Sequence, residues 1–157
     1  MPATFEWSES NGESEVVTDG IQNINFGSID APELNPSQYP IVRGTNSYIK
    51  YIRAKFSGTF TEISNMKFWK SAGEYVTDEV ITAGANVSYS TPTQDPSSDD
   101  PVPESEENAL SIQASDGGNT ITEPGYTKYI RLQAQIGSNA PPGATNEKEF
   151  SFQYDEV

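Results

Sequence analysis

Carboxylates are the only chemically active residue type this chain holds in quantity: 23 Asp and Glu stand against nine Lys and Arg, with no cysteine and no histidine. A carboxylate pair can run glycoside hydrolysis, but both members need a firm scaffold and environments that set them apart as acid and base. No Asp or Glu pair here lies on a strongly patterned element beside a matching acid or base. Without histidine the usual general base and the commonest metal ligand are missing. Without cysteine there is no thiol nucleophile, disulfide or thiolate metal site. Asp95, Asp99 and Asp100 are the candidates for calcium, yet their spacing lacks the glycine and the terminal bidentate Glu of an EF-hand. Gly117-Gly118 reads as a turn, since neither a Lys-Ser/Thr pair nor a helix follows to hold a phosphate. Asn86-Val87-Ser88 fits a glycosylation sequon, a pattern common by chance. The sequence therefore assigns no catalytic, cofactor-binding or metal-ligating residue, and the expected reading is non-enzymatic.

The strongest element is Gly125–Gly137. Its even positions run Tyr126, Lys128, Ile130, Leu132, Ala134, Ile136 and its odd ones Thr127, Tyr129, Arg131, Gln133, Gln135, the period of two expected of a half-buried strand. Tyr48-Ile-Lys-Tyr-Ile-Arg repeats Tyr126-Thr-Lys-Tyr-Ile-Arg in all but one position, and Ala54 and Phe56 continue its phase. Two long strands patterned alike predict the middle of a two-layer domain, with Ile52, Ala54, Phe56, Ile130, Leu132, Ala134, Ile136, Phe150 and Phe152 in one core. Lys50 and Lys128 fall on the apolar faces, where their ammonium groups are expected to snorkel out at the sandwich ends. Tyr51, Arg53, Tyr129 and Arg131 fall on the outward faces. Tyr and Arg are enriched at protein interfaces, so these four are the candidate contact patch.

Around these strands the chain reads as about nine short strands with turn signals between them and no segment of helical period, which indicates a sandwich or barrel. Asp19-Gly20 is read as a hairpin turn between 15–18 and 21–26. Residues 1–46 are read as N-terminal strands and an extended arm docked on the domain or on a neighbour, and residues 47–157 as the β-sandwich. Phe5, Trp7, Leu34 and Tyr39 are the arm's candidate interface anchors. Thr91–Asn108, with four prolines and six acids, is expected to be a plain solvated loop.

Trp69 on a third strand, with Tyr126 in Pro124-Gly125-Tyr126 before the penultimate strand, resembles the immunoglobulin-like sandwich, whose buried Trp and tyrosine corner those residues would supply. The family's paired cysteines are replaced by Ile52 and Ile130. The fold expectation is an all-β, two-layer antiparallel β-sandwich, immunoglobulin-like, with a jelly-roll as alternative. A net charge of −14 disfavours nucleic acid and anionic membrane as partners and favours a basic protein surface. Residues 1–20 carry four Glu and no apolar stretch, so they do not read as a signal peptide. In style the chain is similar to bacteriophage and viral capsid decoration proteins. That resemblance implies repeated copies bound to a major capsid protein or another virion protein, no cofactor, and a virion location. The alternative is an extracellular carbohydrate-binding or adhesive module, with Trp7 and Trp69 as stacking residues.

Overall fold

The computed structural model describes residues 2–157, and among them it holds strands and turns but no helix. The strands are β1 Ala3–Asn11, β2 Val16–Ile21, β3 Lys50–Gly58, β4 Ile63–Ala72, β5 Glu79–Val87, β6 Leu110–Ser111, β7 Gly125–Tyr126, β8 Tyr129–Ile136 and β9 Glu149–Glu156. They form two antiparallel sheets. The larger has the order β2-β1-β3-β8-β5, with β7 also pairing β3, and the smaller the order β6-β4-β9. The chain is a β-sandwich.

The core follows the alternation of β3 and β8. Ile52, Ala54, Phe56, Ile130, Leu132 and Ala134 are buried on the inner face, opposite Met66 and Phe68 of β4 and the half-buried Phe150, Phe152 and Tyr154 of β9. Each fully buried side chain of this size contributes about 1.5–3 kcal/mol of transfer free energy. The two copies of the repeat lie side by side. Tyr51 pairs with Arg131 and Ile52 with Ile130. A Tyr-Ile-Arg motif laid antiparallel on itself places each Tyr beside the other's Arg, so one face collects both types while the isoleucines meet on the other.

Several expectations need correction. Asp19-Gly20 is not a turn: the β1–β2 reversal is at residues 12–15, and β2 runs through both residues. Gly20, at φ +72, is the extra residue of a bulge where the pairing slips between Trp7 and Ser8. The strand expected over Gly125–Gly137 breaks after Tyr126. There Thr127 turns inward and accepts the Ala54 amide on its Oγ1 at 3.0 Å, so Lys128 loses the inner-face phase. Trp69 is not the buried tryptophan, because β4 turns Met66 and Phe68 to the core and Trp69 to the opposite face. Tyr126 makes no tyrosine corner; its hydroxyl donates to Asp19 on β2 at 3.0 Å.

Residues 3–21 are part of the sandwich itself, with β1 lying between β2 and β3. Phe5 stacks on Phe152 at 5.4 Å, and Trp7 meets Phe68 edge-on at 5.9 Å. These two anchors belong to the chain's own core. Leu34, 4% exposed, pins the following arm in the same way. Lys50 does not snorkel out. Its ammonium is buried against Glu9 of β1, at 3.0 and 3.2 Å, and also donates to the Ala31 carbonyl at 3.1 Å. Burial pushes the Glu9 carboxyl above its ordinary range, with Lys50 pulling the other way.

Candidate functional site

β1, β3 and β8 fix the outer face of the larger sheet through their side-chain alternation. Ser8 pairs with Arg53 and Ser10 with Tyr51 across β1–β3, while Tyr51 pairs with Arg131 across β3–β8. The structure thus brings Tyr51, Arg53, Tyr129 and Arg131 together, and adds two residues the sequence did not single out for this patch, Tyr89 and Tyr126. Tyr51, Tyr89 and Tyr129 form a cluster with ring centroids 5.0–6.1 Å apart. The Arg53 guanidinium lies 3.8 Å from the Tyr126 ring centre and 4.6 Å from that of Tyr129, with no carboxylate paired to it and its buried Nε without a hydrogen-bond partner.

The four expected contact residues are not equally available. Tyr51 lies on the outer face but is only 3% exposed, because the Tyr89 ring packs edge-on against it. Arg131 is held in a two-pronged ion pair with Asp99, both contacts at 2.7 Å. Arg53 and Tyr129 are half-buried. Of the arm residues, Tyr39 is half-buried and its carbonyl accepts the Ser28 amide at 3.0 Å, so neither it nor Leu34 joins this face.

Thr91–Asn108 is not a free loop. Gln133, fully buried on β8, accepts the Ser97 amide at 2.8 Å and donates to the Asp95 carbonyl at 2.9 Å. Asp99 settles over Gly84, where a Cβ would stand 2.6 Å from the carboxylate oxygen. Residues 100–102 then pair with the free edge of β5, through Ala83 N–H to the Asp100 carbonyl and Val102 N–H to the Ile81 carbonyl, both at 2.9 Å. Val102 completes the anchor in the core. Pairing closes that edge against other strands. Among the described residues no group of three Asp or Glu converges on a metal position.

At the other side of the patch, Asp19 of β2 accepts Ser8 at 2.6 Å, Lys55 at 2.7 Å and Tyr126 at 3.0 Å, and Lys55 also reaches Glu6 at 3.1 Å. The Lys55 ammonium holds Asp19 below the usual carboxylate range, and Arg131 does the same for Asp99. Burial raises the phenols of Tyr126 and Tyr129 and pushes Tyr89 up to about 12. Tyr129 also donates to Glu15. Near neutral pH these phenols stay protonated and these carboxylates stay ionised.

A second feature is a cleft of about 950 Å³ at one end of the sandwich, with Trp7, Ile81 and Phe150 towards the core and Asn25, Arg43 and Asn146 among its polar lining. Trp69 lies on the smaller sheet's outer face, so the two tryptophans do not make one stacking platform. Asn86 is engaged in the fold: its side chain accepts the Gln113 amide at 2.7 Å and donates to the Ser111 carbonyl at 2.9 Å. No protein-family model, curated protein or solved structure matches the chain.

Proposed function

We propose that the chain is a non-enzymatic structural protein of a virion, a decoration or stabilising protein that binds the outer surface of a capsid shell in repeated copies. One observation carries this reading: the placement of the cations. Lys50, Lys55, Lys70, Arg131 and Lys148 are each ion-paired to the chain's own acids. That leaves Arg43, Arg53, Lys67 and Lys128 as the only described cations without a carboxylate partner, against most of the 23 acids. Glu13, Glu33, Asp116, Glu123 and Asp155 are among the exposed ones. A surface of this kind is steered to a net basic protein and repelled by phosphate-coated partners. The outer face of the larger sheet, with Arg53, Tyr126 and Tyr129 half-exposed, supplies the rigid aromatic and guanidinium contacts that concentrate binding energy at interfaces.

Purified particles from the source of this sequence test the reading. The chain should co-sediment with them in many copies per particle and be released by high salt; its absence from intact particles would refute it. The end cleft favours a second reading, a carbohydrate-binding module with Trp7 as the stacking residue. Titration with simple sugars should then quench tryptophan fluorescence in the wild-type chain but not after Asn25→Ala with Asn146→Ala.

A further inference from the structure

We infer that β2 is the docking edge, and that its occupant is an extended, Lys/Arg-rich segment of the partner protein, added antiparallel or parallel as a new strand of the larger sheet. This rests on the function proposed above and names how the partner is held. β2 ends the larger sheet and pairs only with β1. At the opposite end of that sheet, residues 100–102 close the edge of β5; no described segment does this for β2. An unpaired strand presents a row of amide and carbonyl groups ready for another strand.

Two further observations single out this edge. Val16 is 64% and Val17 38% exposed, and with Val42 and Val157 they are the large hydrophobics left exposed among the described residues. Adjacent strand residues point to opposite faces, so a strand laid beside β2 covers one valine from above and the other from below. β9, at one end of the smaller sheet, carries no exposed large hydrophobic residue except the terminal Val157, so a strand added there would cover no exposed apolar side chain of the strand itself.

Charge decides the occupant. Glu13, Glu15 and Asp19 lie at or beside β2, and Glu33 reaches its end by accepting the Gln22 amide at 2.5 Å. Lys55 offsets Asp19 and Tyr129 donates to Glu15, both from the outer face, which leaves the exposed Glu13 and Glu33 without a cation partner among the described residues. A second copy of the chain would set these acids against their own images, whereas like charges facing across strands are destabilising. An incoming strand with Lys or Arg at alternate positions and small apolar residues between them matches both the valines and the acids. Main-chain hydrogen bonds would supply affinity and the alternating side chains specificity.

The test uses the full chain and a short synthetic peptide alternating Lys and Val. A second peptide of the same sequence is N-methylated along one edge, so that it keeps its charge but cannot extend a ladder. Binding should protect the amides of residues 16–21 from hydrogen exchange. The N-methylated peptide should bind at least about tenfold more weakly, and Val16→Lys with Val17→Lys should weaken the unmodified peptide about tenfold while leaving thermal unfolding unchanged. Equal binding of the two peptides, or protection confined to β9, overturns the added strand. So does concentration-dependent self-association that protects β2, which would make a second copy the occupant. Particle binding by the wild-type chain with β2 still unprotected overturns the added strand and leaves the docking reading intact; failure to bind particles at all overturns the docking reading itself.

Discussion

Replacing Glu9 by Gln probes the least ordinary contact in the fold. Glu9 is 0% exposed and Lys50 2%, and the carboxylate meets the ammonium at 3.0 and 3.2 Å while accepting Asn11 Nδ2 at 2.7 Å. At about 3 Å and an effective dielectric of about 20, the Coulomb attraction is about 5–6 kcal/mol, set against a desolvation cost of several kcal/mol for each ion. The pair as a whole therefore nearly cancels, but half of it does not. Glu9→Gln leaves an ammonium in the core with only neutral acceptors and should cost about 3–5 kcal/mol, a large share of the 5–15 kcal/mol typical of a domain. Glu9→Leu combined with Lys50→Met should return to within about 1 kcal/mol of the wild type. Urea unfolding at pH 7, with the slope checked for constancy, measures both. A single-mutant loss under about 1 kcal/mol, or a double mutant as unstable as the single one, would show that Lys50 does not depend on the Glu9 charge.

Asp99→Asn should free the acidic segment, seen as faster proteolysis within 91–103, and Gly84→Ala should do likewise by displacing the carboxylate that rests on it. Since Arg131 lowers the pKa of Asp99, that anchor is present above pH 3.8 and weakens as pH falls through the lowered value, so wild-type proteolysis in this segment should rise in strong acid and Asp99→Asn should show no such step. Leu132→Ala, at a fully buried position, should cost about 2–5 kcal/mol in chemical denaturation. Asn86→Ala should cost about 1–3 kcal/mol, because it removes both ties to the β6 region from a residue at φ +58, and the sequon should remain unglycosylated when the chain passes through a secretory pathway.

The parts legible in the sequence were those set by period. Ile130, Leu132, Ala134 and Ile136, with Ile52, Ala54 and Phe56, alternate strictly, and they are the inner face of the central strands. The patch of Tyr51, Arg53, Tyr129 and Arg131 follows from the same alternation. What period could not show is what covers a face. Tyr51 is buried because Tyr89, distant in sequence, packs against it, and no local pattern encodes that Asp99 meets Arg131. Lys50 departs from the snorkelling expectation for a related reason. A lysine in core phase demands a carboxylate, and Glu9 carries that signal by continuing the phase of Phe5 and Trp7, but only the pairing of β1 with β3 puts the two together. Bulges account for the remaining misses. The slip at Gly20 sits where a turn is expected, and the one at Thr127 puts Tyr126 and Lys128 out of phase with the inner face that Ile130, Leu132 and Ala134 keep.

Whether the chain decorates a capsid is read from binding of the purified chain to particles stripped of it, followed across ionic strength. Docking through the outer face of the larger sheet should give saturable binding in repeated copies that weakens steadily with salt, weakens about tenfold or more when Arg53 is replaced by Ala together with Tyr126, and survives when Trp69 is replaced by Ala. Absence of saturable binding at low salt, or binding indifferent to both salt and the Arg53 and Tyr126 substitutions, would contradict it.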